Sequence, residues 1–116
     1  MILIAVEDLL FSSKIRAVAR QLGVQLAFAR TPEEILQKVR ADAPSLVVFD
    51  LNCAKTQPLE TIAAIKSDPA LAASRVIGFA SHVHVDVIHA ARQAGADDVL
   101  PRSAFASRLP EILGGA

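Results

Sequence analysis

Four charged side chains of this 116-residue sequence stand where an apolar run gives way to polar residues, the positions at which a strand could deliver them to a common site. Glu7 and Asp8 follow the run from Ile2 to Val6, Asp50 ends Leu46-Val47-Val48-Phe49-Asp50, and Arg102 follows Asp98 to Leu100. Ala80 and Ser81 close a further run beginning at Val76. Three of the four charged groups are carboxylates, which repel on convergence unless a cation or a proton sits among them. Mg²⁺ takes one or two carboxylates together with waters and a phosphate, so an acidic cluster of this kind suits phosphoryl transfer.

The elements that must position these residues show in the hydrophobic periodicity. Short runs rich in Ile, Leu and Val alternate with segments whose apolar residues recur at three and four, the pattern of a parallel sheet wrapped by helices. After the first strand, Ile2 to Val6, a helical face of Ile15, Val18, Ala19 and Leu22 stops at Gly23, and a second strand runs from Val24 to Ala29. Thr31-Pro32-Glu33-Glu34 offers a capping residue, a proline at the first helical position and a glutamate placed to reach back, ahead of Ile35, Leu36 and Val39. Pro44 separates that helix from the third strand, and polar residues from Asn52 to Gln57 form a loop. Pro58 opens a third helix that buries Leu59, Ile62 and Ala63 and ends at Asp68-Pro69. Val76 to Ala80 is the fourth strand, Val87, Ile88, Ala91 and Ala94 line a fourth helix closed by Gly95, and Asp98 to Leu100 is a short fifth strand. A last helix starts near Ser103, and Pro110 removes a backbone donor from it and bends or ends it.

These strand–helix units predict an α/β fold, a doubly wound sheet forming one domain over residues 1–116 with no internal repeat or linker. Such sheets hold ligands just beyond the carboxyl ends of their strands, which selects the residues named above. Ile4-Ala5-Val6-Glu7-Asp8 resembles the first-strand motif of CheY-like response regulator receiver domains, which ends in an acidic pair. Val47-Val48-Phe49-Asp50 resembles the strand ending in their phosphoacceptor aspartate, and Gly95-Ala96-Asp97-Asp98 is similar to their turn into the fifth strand. The likeness runs from Ile2 to about Leu109. It implies a flavodoxin-like (βα)5 fold with a five-stranded parallel sheet in the order 2-1-3-4-5, which periodicity alone does not select. It also implies two-component phosphorelay signalling, with Asp50 as phosphoacceptor and Glu7, Asp8, Asp50 and the backbone carbonyl of Asn52 as ligands of Mg²⁺. The implied partner is a histidine kinase or a downstream effector, docking on the surface of the fourth helix, fifth strand and fifth helix. Val83, Val85, Phe105 and Leu109 are the apolar candidates there, some of which must belong to the core, and a homodimer is a further implied assembly.

Several positions depart from the family pattern. The threonine or serine that ends the family's fourth strand is Ala80, and Ser81, one residue on, points differently along the strand. The inward-turning aromatic of the fifth strand is Val99, and the lysine-proline pair after it is Arg102-Ser103. Arginine keeps a positive charge but binds carboxylates with a planar fork where lysine is a point charge, so Arg102 can pair statically with Asp50. Glu7 is a longer arm where the family most often has aspartate. The acidic pocket is thus retained while its readout is altered, which predicts a pseudo-receiver: an interaction module with weak or no phosphorylation-driven switching. The alternative is a working phosphoacceptor at Asp50 with Mg²⁺.

Composition narrows the classes. Twelve basic residues balance twelve acidic ones, so no net field attracts nucleic acid or an anionic membrane, and 53% hydrophobic residues are ample for one core. No apolar stretch approaches a membrane span, and the single cysteine, Cys53, fits a reducing, cytoplasmic setting. A flavodoxin-like cofactor binder or enzyme would need a Gly-rich dinucleotide loop, a Walker motif, a Trp or Tyr to stack a flavin, or a nucleophile–base pair, and none is recognisable. More ordinary roles stand beside the functional ones: Asp50 as a solvated loop residue, Glu7 and Asp8 as caps of the first helix, Cys53 as a small filler and His89 as a helix-surface residue. His82 and His84 form a His-x-His step without a supporting acid, a weak metal signal.

Overall fold

The inner strands are apolar on both faces, and each face is buried by its own layer of helices. The computed structural model describes residues 1–81 and 85–115. Its five parallel strands are β1 (Ile2–Ala5), β2 (Leu26–Phe28), β3 (Leu46–Asp50), β4 (Arg75–Ala80) and β5 (Asp98–Pro101). They pair in the order β2-β1-β3-β4-β5. The helices are α1 (Leu9–Leu22), α2 (Pro32–Asp42), α3 (Pro58–Ser67), α4 (Val85–Ala94), α5 (Arg102–Ser107) and α6 (Leu109–Gly114). This is the flavodoxin-like, doubly wound α/β architecture expected, and among the described residues no helix is long and apolar enough to cross a membrane.

Side-chain alternation divides the core. Leu3, Ala5, Val47, Phe49, Val76 and Ala80 pack on one side with Ile35 and Val39 of α2, Ile62 and Ile65 of α3, and Ala91 of α4. Ile2, Ile4, Leu46, Val48, Ile77 and Phe79 pack on the other with Ile15 and Ala19 of α1, Phe105 of α5, and Leu109, Ile112 and Leu113 of α6. Period-two strands covered on both sides therefore read as continuous apolar runs.

Local chemistry sets the boundaries. Gly23 closes α1 in the left-handed conformation, its N–H bonding the Arg20 carbonyl while the N–H of Val24 bonds that of Ala19. This paired closure absorbs Val24, so β2 begins at Leu26 rather than at Val24. Thr31 caps α2 through the N–H of Glu34, and Glu34 reaches back to the N–H of Arg30. Ala63 is exposed, contrary to expectation, and Pro58, Thr61, Ile62 and Ile65 form the buried side of α3. The last helical segment divides at Arg108, and Pro110 falls in the first turn of α6, where a missing N–H is harmless. Phe105 and Leu109 are both fully buried in the core, so neither belongs to the exposed surface that the family resemblance offered.

The Gly95-Ala96-Asp97-Asp98 turn is fastened by Lys66. Its Nζ lies 2.8 Å from Asp97 Oδ2 and donates to the carbonyls of Ala72 and Ser74, at 3.2 and 2.8 Å. Asp97 also accepts the N–H of Val76 at 2.8 Å. Gly95 has φ of 111°, and a Cβ there would stand 3.0 Å from the Lys66 side chain. Burial pushes the Asp97 carboxyl up, but the Lys66 bond, the Val76 N–H and the Lys66 and Arg75 charges together hold it below its ordinary value. Lys66→Met should lower the unfolding free energy in urea by about 2 kcal/mol, because charge-assisted bonds are lost and two carbonyls are left without their donor. The Asp97 part of that difference is full above the ordinary carboxylate range. It should fade as pH falls through the depressed folded value, where Asp97 takes up its proton.

Candidate functional site

Parallel strands send their carboxyl ends to one edge, and the order β1-β3-β4-β5 places the residues that follow them side by side. Asp8 is the N-cap of α1, its Oδ1 accepting the N–H groups of Leu10 and Phe11 at 2.9 and 3.1 Å. Asp50 is the last residue of β3, in register with Phe79 of β4. Arg102 opens α5 directly after β5 and extends across the edge to both acids. Its Nη2 lies 3.3 Å from Asp50 Oδ2 and its Nη1 3.6 Å from Asp8 Oδ2. The guanidinium carbon sits 5.0 Å from the centroid of the Phe11 ring and 5.5 Å from that of Phe79. Phe79 in turn stacks on Phe105 at 4.6 Å. The cation is thus bonded at its edge to carboxylates and supported on aromatic rings, two contacts that arginine makes simultaneously.

Asp50 has only 8% of its side chain exposed. Its Oδ1 accepts the N–H of Asn52 at 3.0 Å, and Asn52 Oδ1 accepts the N–H of Ser81 at 3.2 Å, joining the loop after β3 to the end of β4. Burial is the largest influence on the Asp50 carboxyl and, with the Asp8 charge, raises its pKa against the opposing pull of the Asn52 N–H and Arg102. Asp8 moves the other way: the N–H of Phe11, with that of Leu10 and the Arg102 guanidinium, holds it below its ordinary value despite some desolvation.

Glu7 does not join Asp8 and Asp50. It is exposed and turned toward Lys55 Nζ at 3.7 Å and the Cys53 thiol, whose Sγ lies 3.7 Å from Glu7 Oε2. Among the described residues, no three His, Cys, Asp or Glu side chains are grouped to hold a metal ion. As arranged, the acids do not fit Mg²⁺: in each of Asp8 and Asp50 one oxygen is held by backbone N–H groups and the other faces Arg102. Ala80 is fully buried and supplies no hydroxyl, and Val99 is buried in the layer of α2, α3 and α4. Ser103 is exposed in the first turn of α5. His89 is exposed and near Gln93, while His82, Val83 and His84 lie outside the described residues.

Sequence reasoning missed the aromatic support of Arg102. Phe11, Phe79 and Phe105 come from a helix, a strand and a second helix, and only the α1-side alternation of β4 hints that Phe79 faces the same layer as Phe105. It also missed an open groove of about 580 Å³ beside the acids, walled by Leu10, Phe11, Lys14, Ser81, Arg102 and Ala106.

A five-stranded sheet of this order, with a buried aspartate at the end of its third strand and a cation reaching it from the fifth, defines a receiver-type signalling module. The sequence matches the response regulator receiver domain family over residues 2–113, and the chain belongs to that family. A phosphorylated cyanobacterial phytochrome response regulator, RcpA, is similar in structure, with 24% identity and a TM-score of 0.80 over 98% of this chain and 88% of that one. A response regulator from Hahella chejuensis has 20% identity and a TM-score of 0.85, covering 97% and 90% of the two chains. The Mn²⁺-bound form of response regulator Rcp1 has 20% identity and a TM-score of 0.77, covering 98% and 88%. At these identities the structural likeness carries the fold alone. Comparison with curated proteins finds no match.

Because burial dominates at Asp50, its ionised form lowers the stability of the fold. Asp50→Asn, which removes the desolvated charge and leaves the half-exposed Arg102 paired with Asp8, should therefore raise the thermal midpoint at neutral pH. The gain should shrink as pH falls through the raised folded pKa, since the native aspartate then takes up a proton and the disadvantage disappears. Melting both proteins across a pH series checks the sign.

Proposed function

We propose that this receiver domain acts as a protein-interaction module in two-component signalling, with weak or no phosphorylation-driven switching. The observation that carries the reading is the Arg102 bridge, which engages the Asp50 oxygen not already bonded to Asn52. A phosphoryl group arriving at Asp50 must displace that contact. It would then find Ala80 where the family has a hydroxyl and Val99 where the family has the aromatic that follows it inward. A ligand shifts a conformational equilibrium only by binding its states differently, and these side chains remove the contacts that would distinguish them. The partner is a histidine kinase or downstream effector docking on the face of α4, β5 and α5, where Val85 is 69% exposed. With a formal net charge of zero, recognition there rests on local shape, and the cytoplasm is the setting in which such partners are met.

A second reading has one observation in its favour: Asp50 is retained at the end of β3 in a chain that belongs to the receiver family. Asp50 would then be phosphorylated with Mg²⁺ and signal without the usual hydroxyl and aromatic. The two readings separate when the protein is mixed with Mg²⁺ and acetyl phosphate or beryllofluoride and followed by backbone amide NMR, with Asp50→Asn as control. The module reading expects no shifts, or shifts confined to the surroundings of Asp8 and Asp50. Shifts that spread into α4 and β5 and vanish in the control would establish the switch instead.

A further inference from the structure

We propose that the Arg102 guanidinium permanently holds the place a divalent cation would need between Asp8 and Asp50, so that this pocket is neutralised by its own side chain and accepts a metal ion only once Arg102 is replaced. The inference concerns the same site as the module reading and rests on the same Arg102 contacts. It is decided by metal binding alone, whatever phosphorylation does.

Three features of the site support it. In each carboxylate one oxygen accepts backbone N–H bonding, two groups at Asp8 and one at Asp50, and the other oxygen faces the one guanidinium, at 3.6 and 3.3 Å respectively. A metal ion entering there would lose its carboxylate ligands to Arg102 and meet a like charge at close range. The guanidinium is also difficult to displace, because its face rests near Phe11 and Phe79 while Phe79 is itself stacked on Phe105. Swinging it into solvent would break the ring contacts together with the ion pairs. Finally, the third acid is engaged elsewhere: Glu7 turns to Lys55 and Cys53, so it adds no negative charge to help a metal ion compete with the guanidinium for Asp8 and Asp50. A lysine at position 102 would act differently. Its ammonium is a compact point charge that cannot spread a planar fork over two carboxylates, so one acid would be released.

The test titrates Mn²⁺ into the full chain and into Arg102→Met, following paramagnetic broadening of amide signals, with Mg²⁺-dependent melting as a second readout. Methionine keeps an unbranched apolar body against the phenyl rings and removes the charge. In the native chain, broadening at Asp8, Asp50 and Asn52 should be no stronger than at exposed acids such as Glu33 and Asp42, and Mg²⁺ should leave the melting midpoint unchanged. In Arg102→Met, broadening should be saturable and centred on Asp8, Asp50 and Asn52, with affinity roughly tenfold or more above the native chain as a repelling charge is removed. Mg²⁺ should raise its midpoint, and adding Asp50→Asn should abolish both effects. Arg102→Lys, which keeps a cation, replaces the methionine variant if that one does not fold, and saturable binding at the same amides is expected there too. Saturable binding at those amides in the native chain overturns the proposal. So does its absence from the folded Arg102 variant.

Discussion

A carboxylate at the end of a strand enclosed on both faces must be neutralised or protonated, and much of this fold's active edge answers that requirement at Asp50. Burial raises its pKa, and the groups that oppose the rise are all supplied by the chain: one backbone N–H from the loop after β3 and one guanidinium from the start of α5. Neither could arrive without the parallel topology. β3 lies between β1 and β4, so Asp50 has the Asp8 cap on one side and the end of β4 on the other, with Arg102 crossing from beyond β5. Ala80 at the end of β4 packs in the layer of α2, α3 and α4, and Phe79, on the opposite face, helps to support the guanidinium.

Asp8 illustrates how one residue serves both the scaffold and the site. As the N-cap of α1 it satisfies two helix N–H groups, and those bonds fix one oxygen and so aim the other at Arg102. The reading of Asp8 as a cap and its reading as a site acid thus describe two oxygens of one carboxylate. Glu7, one residue earlier, has no such anchor. Its longer side chain reaches Lys55, the middle residue of a 3₁₀ turn over Ala54–Thr56, and leaves the pocket.

The strands, the Thr31 and Gly23 caps, the Gly95–Asp98 turn and the acid at the end of β3 were legible because each is written in periodicity or in a residue with a local conformational preference. The strand order was legible only through family resemblance, since every doubly wound topology shares the same alternation. What stayed hidden depends on long-range geometry. Phe11, Phe79 and Phe105 are distant in sequence and meet only because α1 and α5 cover the same face of β4. Phe105 and Leu109 were candidates for an exposed face because the family resemblance places a partner surface on the fifth helix, and residue type does not tell its core side from its outer side. Both are fully buried, packed with Ile112 and Leu113 on the α1 side of the sheet. The diversion of Glu7 was equally unreadable, being set by where the loop after β3 places Lys55.

The departures from the family pattern form one coherent arrangement rather than independent losses. With alanine at position 80, the end of β4 has no hydroxyl to move toward Asp50. The neighbouring backbone is instead tied through Ser81 N–H to Asn52, whose own N–H holds Asp50. That chain of bonds runs through main-chain groups and a side-chain amide and ends on the Asp50 carboxylate, with no hydroxyl in it. Val99, buried among apolar residues, has no polar tip for which an inward and an outward position would differ. Arg102 completes the pattern because its fork binds Asp8 and Asp50 together and its face rests on rings that belong to the core. A two-state switch needs at least one element with two nearly equal resting places. At this edge Ala80 and Val99 are buried and Arg102 is paired with Asp8 and Asp50, and on those contacts the proposal of a fixed surface rests.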